Sequence, residues 1–275
     1  MDNSLIRRHC KDDMKGNWFM AVVMSIVLSV ISMIISRVLM PVMPFSVDPF
    51  ANIDFTDPAQ LEAISAVSKS TTIISSFASN MLISIITSVF ALGFSWSFLD
   101  LVDQSISGET PKLKLELLFS AINRNVFKNV LILAISYILT VLAYFLLIVP
   151  GIVLSLFLTP LPFLLKDKPD ISVGAAFSES FELMKRNVGK LFSLYIPYII
   201  GFIIYIIAVI AIMFSFITGE SHNFMGLLLG IILVTIISVI VGVYIHIKIQ
   251  VISSQFYRRH LAPRSLEESN IYFEQ

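Results

Sequence analysis

Long apolar runs separated by short polar, basic stretches set the plan of this chain. The runs near 18–40, 73–99, 127–149, 191–217 and 224–247 can each cross a hydrocarbon core of about 30 Å, which takes about 20 residues of helix. A sixth run, 152–165, is short: at about 1.5 Å per residue it reaches only about 21 Å. It is expected to thin the bilayer, sit off-centre or continue through the kink at Pro160-Leu161-Pro162. The pattern predicts an all-α polytopic membrane protein with six transmembrane helices in three hairpins. The stretch 127–168 carries the middle hairpin, and it is broken once, at Val149-Pro150-Gly151. Proline lacks a backbone donor and restricts its predecessor, so the turn between two membrane helices is expected there.

The polar segments repeat. Residues 111–128 and 169–190 each run proline, then Phe-Ser, then Arg-Asn-Val-x-Lys, and then enter an apolar run; 4–17 is a weaker copy ahead of the first hairpin. In 169–190, Val173, Phe177, Phe181, Met184 and Val188 share one helical face, with Glu179, Glu182, Lys185 and Arg186 elsewhere, as expected of an amphipathic helix lying in the membrane interface. This predicts one membrane domain over 1–262, built of three units (about 1–103, 104–168 and 169–262), each an interfacial helix followed by two membrane helices, with a tail at 263–275.

Charge fixes the expected orientation. Arg7, Arg8, Lys11 and Lys15, then Lys112, Lys114, Arg124 and Lys128, then Lys166, Lys168, Lys185, Arg186 and Lys190, and finally Arg258, Arg259 and Arg264 fall on one side of the predicted spans. The other side has Arg37 and Lys69, and its 41–72 loop carries Asp48, Asp54, Asp57 and Glu62. Positively charged loops stay in the cytoplasm, so both termini are expected there. Asp57-Pro58 reads as a cap followed by proline at the first helical position, so the second membrane helix is expected to begin outside the bilayer and run unbroken.

Composition agrees with a membrane protein: 56% hydrophobic and 14% charged residues, with a mean hydropathy of +0.86. A net charge of zero gives no general attraction to nucleic acid. Cys10 is the one cysteine, which excludes an intrachain disulfide and a cysteine metal cluster. The first apolar run is too long, and lacks the cleavage pattern, for a removable signal peptide, so it is expected to remain as a spanning helix.

Candidate chemistry is sparse. Ser25, Ser29, Ser32 and Ser36 recur at helical spacing, answered by Ser84, Ser88, Ala91 and Ser95 in the second run. Small residues at that period let helices approach closely, or line a polar path. Gly226 and Gly230, extended by Ser238 and Gly242, carry the same two readings. Pro150-Gly151 and Pro197 with Gly201 are the backbone irregularities, and a cavity is expected at the kinked Pro197 region and the short 152–165 helix. Ionisable residues within the runs lie near their ends: Arg37, His246 and Lys248 are expected to snorkel, and Asp100 and Asp103 to face water. His9, Cys10 and Asp13 cluster as a weak metal motif; no cofactor or metal ligand set is assigned.

Ile6-Arg7 with Met14-Lys15-Gly16-Asn17-Trp18, the Ile148-Val149-Pro150-Gly151-Ile152 stretch, Ala176 to Ser180 with Leu183-Met184-Lys185, and Gln255-Phe256-Tyr257-Arg258 resemble an uncharacterised family of bacterial polytopic membrane proteins. That family is also similar to the membrane domain attached to some glycerophosphodiester phosphodiesterases. The resemblance implies a bacterial cytoplasmic membrane protein and carries no reaction with it. Together the readings point to a non-catalytic membrane protein that binds or moves a lipid or hydrophobic solute, or supports a membrane partner or a second copy of itself. The alternative is an intramembrane enzyme acting on lipids, which needs an acid, base or nucleophile at depth.

Overall fold

A computed structural model of the chain describes residues 3–39, 58–122, 125–218 and 224–262, with the side chains of 58–77, 213–218 and 224–229 left aside. The acidic residues Asp48, Asp54 and Asp57, Arg124, Arg264 and the 263–275 tail lie outside the described residues. The elements in order are α1 (Asn3–Asp13), α2 (Trp18–Leu39), α3 (Pro58–Ile106), a 3-10 segment (Leu115–Ile122), α4 (Val126–Leu146), α5 (Ile148–Leu158), α6 (Leu161–Asp167), α7 (Val173–Met184), α8 (Val188–Thr218), α9 (Phe224–Phe256) and a π turn (Tyr257–Leu261). Among the described residues there are six candidate spans: Trp18–Leu39, Ala78–Ile106, Val126–Leu146, Ile148–Asp167, Val188–Ile212 and Gly230–Leu261. The protein is an all-α polytopic membrane protein. Many large apolar residues, among them Phe145, Leu146, Ile204, Ile210 and Ile240, are exposed along the spans, as a lipid-facing surface requires.

The short sixth run reaches 20 residues because the chain continues through its prolines. The α5 helix ends at Leu158, and α6 begins one tight turn later, after Thr159 and Pro160. Likewise α3 starts at Pro58 and runs unbroken for 49 residues.

The middle hairpin turns earlier than the sequence suggests. Leu147 is extended (φ −163°, ψ 147°) and separates α4 from α5, so Val149, Pro150 and Gly151 all lie in the first turns of α5. Proline is tolerated there because the first amides of a helix have no intrahelical acceptor. Gly151 is needed for another reason: a Cβ at that position would stand 2.3 Å from the Tyr144 ring across the hairpin.

Three apparent repeats meet at one end of the bundle. In the first and third, buried positions match in register: Ile6 and Ala176, Cys10 and Ser180, Met14 and Met184, Ala21 and Leu191, Met24 and Leu194, Ser25 and Tyr195. Asn17 and Asn187 close the turn in the same way, each side chain donating to the carbonyl four residues back, Asp13 and Leu183, at 3.0 and 2.8 Å. The carbonyls of Asn17, Asn125 and Asn187 each accept the amide four residues on, opening α2, α4 and α8.

Of the three polar segments, the first and third form helices ahead of a span, α1 and α7, as expected, and the second does not. The second is a 3-10 segment seated on α3, with Leu118 and Ala121 buried. The third, α7, buries Ala176, Ser180 and Met184, while Phe181 stays exposed and stacks on Phe157 at 5.0 Å. Small side chains bring α7 close enough for the Ser180 hydroxyl to donate to the Phe157 carbonyl of α5, 2.7 Å away.

Candidate functional site

Two features stand out in the bundle. One is a cavity of about 670 Å³, within the usual range for ligand pockets. It is walled by α3, α4, α5, α6, α8 and α9. Its geometry follows from the backbone irregularities. The α5 helix is only 11 residues long and yields to α6 through Thr159-Pro160, and the wall of α8 facing it, Phe192, Tyr195, Ile199 and Phe202, brackets Pro197. Most of the lining is apolar. One end is polar, with Ser95, Gln250, Tyr195, Ser253 and Thr159. The Ser95 hydroxyl has two acceptors at 3.1 Å, the Ala91 carbonyl of its own helix and Gln250 Oε1, and the Tyr195 and Ser253 hydroxyls meet at 2.6 Å. Among the described residues, neither a carboxylate nor a histidine lines this space.

The other feature is a buried charge cluster. Arg258, 1% exposed, spans two carboxylates: Nη1 and Nη2 donate to Asp167 at 2.7 and 2.8 Å, and Nη2 to Asp103 at 3.1 Å. Its Nε lies 2.6 Å from Asp103 Oδ1, a charge contact off the hydrogen-bonding direction. Tyr257 also donates to Asp167 at 2.9 Å. Beside them, Lys166 pairs with Asp100 and donates to the Trp96 carbonyl, while the Trp96 indole donates to the Pro162 carbonyl at 2.7 Å. Asp13, also buried, accepts from Ser105 and Gln255, and Arg259 bonds both of those residues. Thus α1, α3, α6 and the end of α9 are cross-linked by charge.

Asp103 therefore does not simply face water, as expected from the sequence, and Asp100 is paired. Lys248 does more than snorkel: its ammonium lies 4.8 Å from the centre of the Trp18 ring, which stacks on Tyr244. His246 stacks on Phe94 at 5.1 Å. In the His9, Cys10 and Asp13 cluster, Asp13 is taken up by the hydrogen bonds above, and burial pushes the Cys10 thiol up to about 12, leaving it protonated and inert at neutral pH. Burial, then the Arg259 charge, moves His9 down from its ordinary value.

The serine seams separate into different environments. Ser25 is buried, Ser29 exposed, and Ser32, Ser36, Ser84 and Ser88 half-buried. The hydroxyls of Ser25, Ser29, Ser32 and Ser88 donate to carbonyls of their own helix, those of Ala21, Ser25, Leu28 and Ile85. Ser95 is the member of either seam that reaches the cavity. Pro150, Pro197 and Gly201 are exposed, and a Cβ on Gly201 or Gly242 would meet open space. The side chains around Gly226 fall outside the described set, whereas Ser238 bonds the Tyr205 hydroxyl across α8 and α9.

Sequence reasoning missed the Arg258 cluster, because one arginine in a basic tail looks like its neighbours. No protein family, no curated protein and no solved structure matches this chain.

Proposed function

We propose that this protein binds, and in doing so holds or moves, a lipid or hydrophobic solute in the cytoplasmic membrane of a bacterium. The observation that supports this reading is the cavity itself. A space of about 670 Å³ lies within the candidate spans, with apolar walls and a hydrogen-bonding end, and irregular backbone is tolerated at such depth where it borders a cavity. Native mass spectrometry of protein extracted in mild detergent should show a retained amphiphile. Ile152→Trp, which puts a large ring into the cavity, should reduce that retention about tenfold, as loss of about 1.4 kcal/mol of binding would. Retention unchanged in this variant would sink the assignment of the cavity as the binding place. Turnover of a purified lipid would favour the enzyme alternative, but the lining offers hydroxyls whose nearest partners are neutral, an arrangement poor in acid or base.

The placement of the basic segments supports an orientation with both termini in the cytoplasm. There α1 and the turn after it expose Arg7, Arg8, Lys11 and Lys15 as a patch suited to anionic headgroups or to a membrane partner. Because Cys10 is buried and protonated, the native chain gives little labelling background. Lys168→Cys, at an exposed position, should react with an impermeant maleimide only from the cytoplasmic side and Asp57→Cys only from outside; the reverse pattern inverts the topology.

A further inference from the structure

The two ends of the cavity differ in chemistry, and the difference narrows the ligand. Resting on the reading that the cavity holds a hydrophobic molecule, the geometry points to an uncharged amphiphile: hydrocarbon chains bearing a small head of hydroxyl or ester groups, of the diacylglycerol or fatty alcohol class, admitted sideways from the bilayer. The chain end is set by Ile148, Ile152, Ile199 and Phe202. Tyr144, Ile148, Phe192, Ile199 and Phe202 line the cavity and are exposed within candidate spans, which is what a mouth opening sideways to lipid would leave.

The head end has donors and an acceptor to offer. Ser95 bonds the oxygen of Gln250, and among the described residues no acceptor takes the two Gln250 Nε2 hydrogens. Ser253 donates to the Ile249 carbonyl at 2.6 Å, so Tyr195 donates to Ser253; with the Thr159 hydroxyl also bonded to it, the Tyr195 oxygen keeps one lone pair to accept a hydroxyl. In either orientation of the Gln250 amide this end is neutral. Of the nearby charges, Lys166 is paired with Asp100 and Arg258 with Asp103 and Asp167, so a phosphate or ammonium head would enter this neutral end without a counter-charge. A hydroxyl or ester would be fully hydrogen-bonded there.

The test uses full-length protein in phosphatidylcholine nanodiscs with three chain-matched probes, each carrying a photoactivatable group in one acyl chain: diacylglycerol, phosphatidic acid and phosphatidylcholine. Cross-linked peptides are mapped by mass spectrometry. The diacylglycerol probe should label 148–163 and 192–202 at least about fivefold above either phospholipid probe, and unlabelled diacylglycerol should compete it away. Gln250→Met should lower that labelling about fivefold, the effect of one neutral hydrogen bond, with phospholipid labelling unchanged. Should Gln250→Met fail to fold, Tyr195→Phe takes its place with the same expectation. Equal labelling by all three probes, or preference for phosphatidic acid, overturns the neutral head while leaving a hydrophobic cavity in place. Labelling that avoids both segments with every probe overturns the cavity reading as well.

Discussion

Arg258→Met is expected to leave little folded protein. The arginine is 1% exposed and its guanidinium is a counter-charge for both Asp103 and Asp167, so removing it takes a bidentate cation from two carboxylates whose side chains are each only 12% exposed. Breaking a buried ion pair from one side costs about 3–5 kcal/mol, which is a large part of any domain's stability. Arg258→Lys should fall between the two, because an ammonium keeps the charge but cannot span two carboxylates as a fork does. Thermal unfolding followed by size-exclusion chromatography in detergent should therefore rank the native chain first, lysine second and methionine last. Replacing the carboxylates as well, in Arg258→Met with Asp103→Leu and Asp167→Leu, should recover much of the loss, since exchanging a whole buried ionic set for apolar side chains is often neutral. Wild-type melting of the single methionine variant would mean that the cluster contributes nothing to stability.

This cluster marks the limit of what the sequence discloses. Six apolar runs, the unbroken α3 and the repeated Arg-Asn-Val-x-Lys motif were legible, because length, hydropathy and recurring motifs are properties of local sequence. Ion pairing is different. Asp103, Asp167 and Arg258 sit at the ends of three separate helices, and each alone reads as a solvated helix end. Only the convergence of α3, α6 and α9 makes them one object. The same holds for Pro150 and Gly151: proline in a turn and proline in the first turn of a helix have the same local signature, and the close approach of Tyr144 that calls for glycine is tertiary. The cavity was partly legible. Irregular backbone near Pro197 and in 152–165 suggested where it lies, while Gln250 and Ser253, on an otherwise regular helix, gave no sign of lining it.

Gly93 gives the second large effect and is the sharpest case of a tertiary constraint. In sequence, Gly93-Phe94-Ser95-Trp96-Ser97 invites comparison with a hydrolase nucleophile elbow, but it lacks the second glycine of that motif and lies in the interior of α3. The 3-10 segment crosses α3 at this point, and a Cβ on Gly93 would stand 2.0 Å from the Leu118 carbonyl oxygen and 2.7 Å from its carbon. Backbone cannot rotate away as a side chain can. For Gly93→Ala to fit, Leu115–Ile122 must lift from α3, exposing Leu118 and Ala121, and pulling on Leu113, whose amide donates to Asn17 at 3.0 Å. The expected cost is about 3 kcal/mol, the upper end of the range for overpacking a core. Gly151→Ala serves as the comparison, because there the obstacle is the ring of Tyr144, a half-exposed side chain. It should cost less, and Tyr144→Leu should relieve it, whereas no single side-chain truncation should relieve Gly93→Ala. Melting temperatures of the two alanine variants and the Gly151→Ala, Tyr144→Leu pair measure this directly. If Gly93→Ala melts with the native chain, the 3-10 segment does not rest on α3 as described.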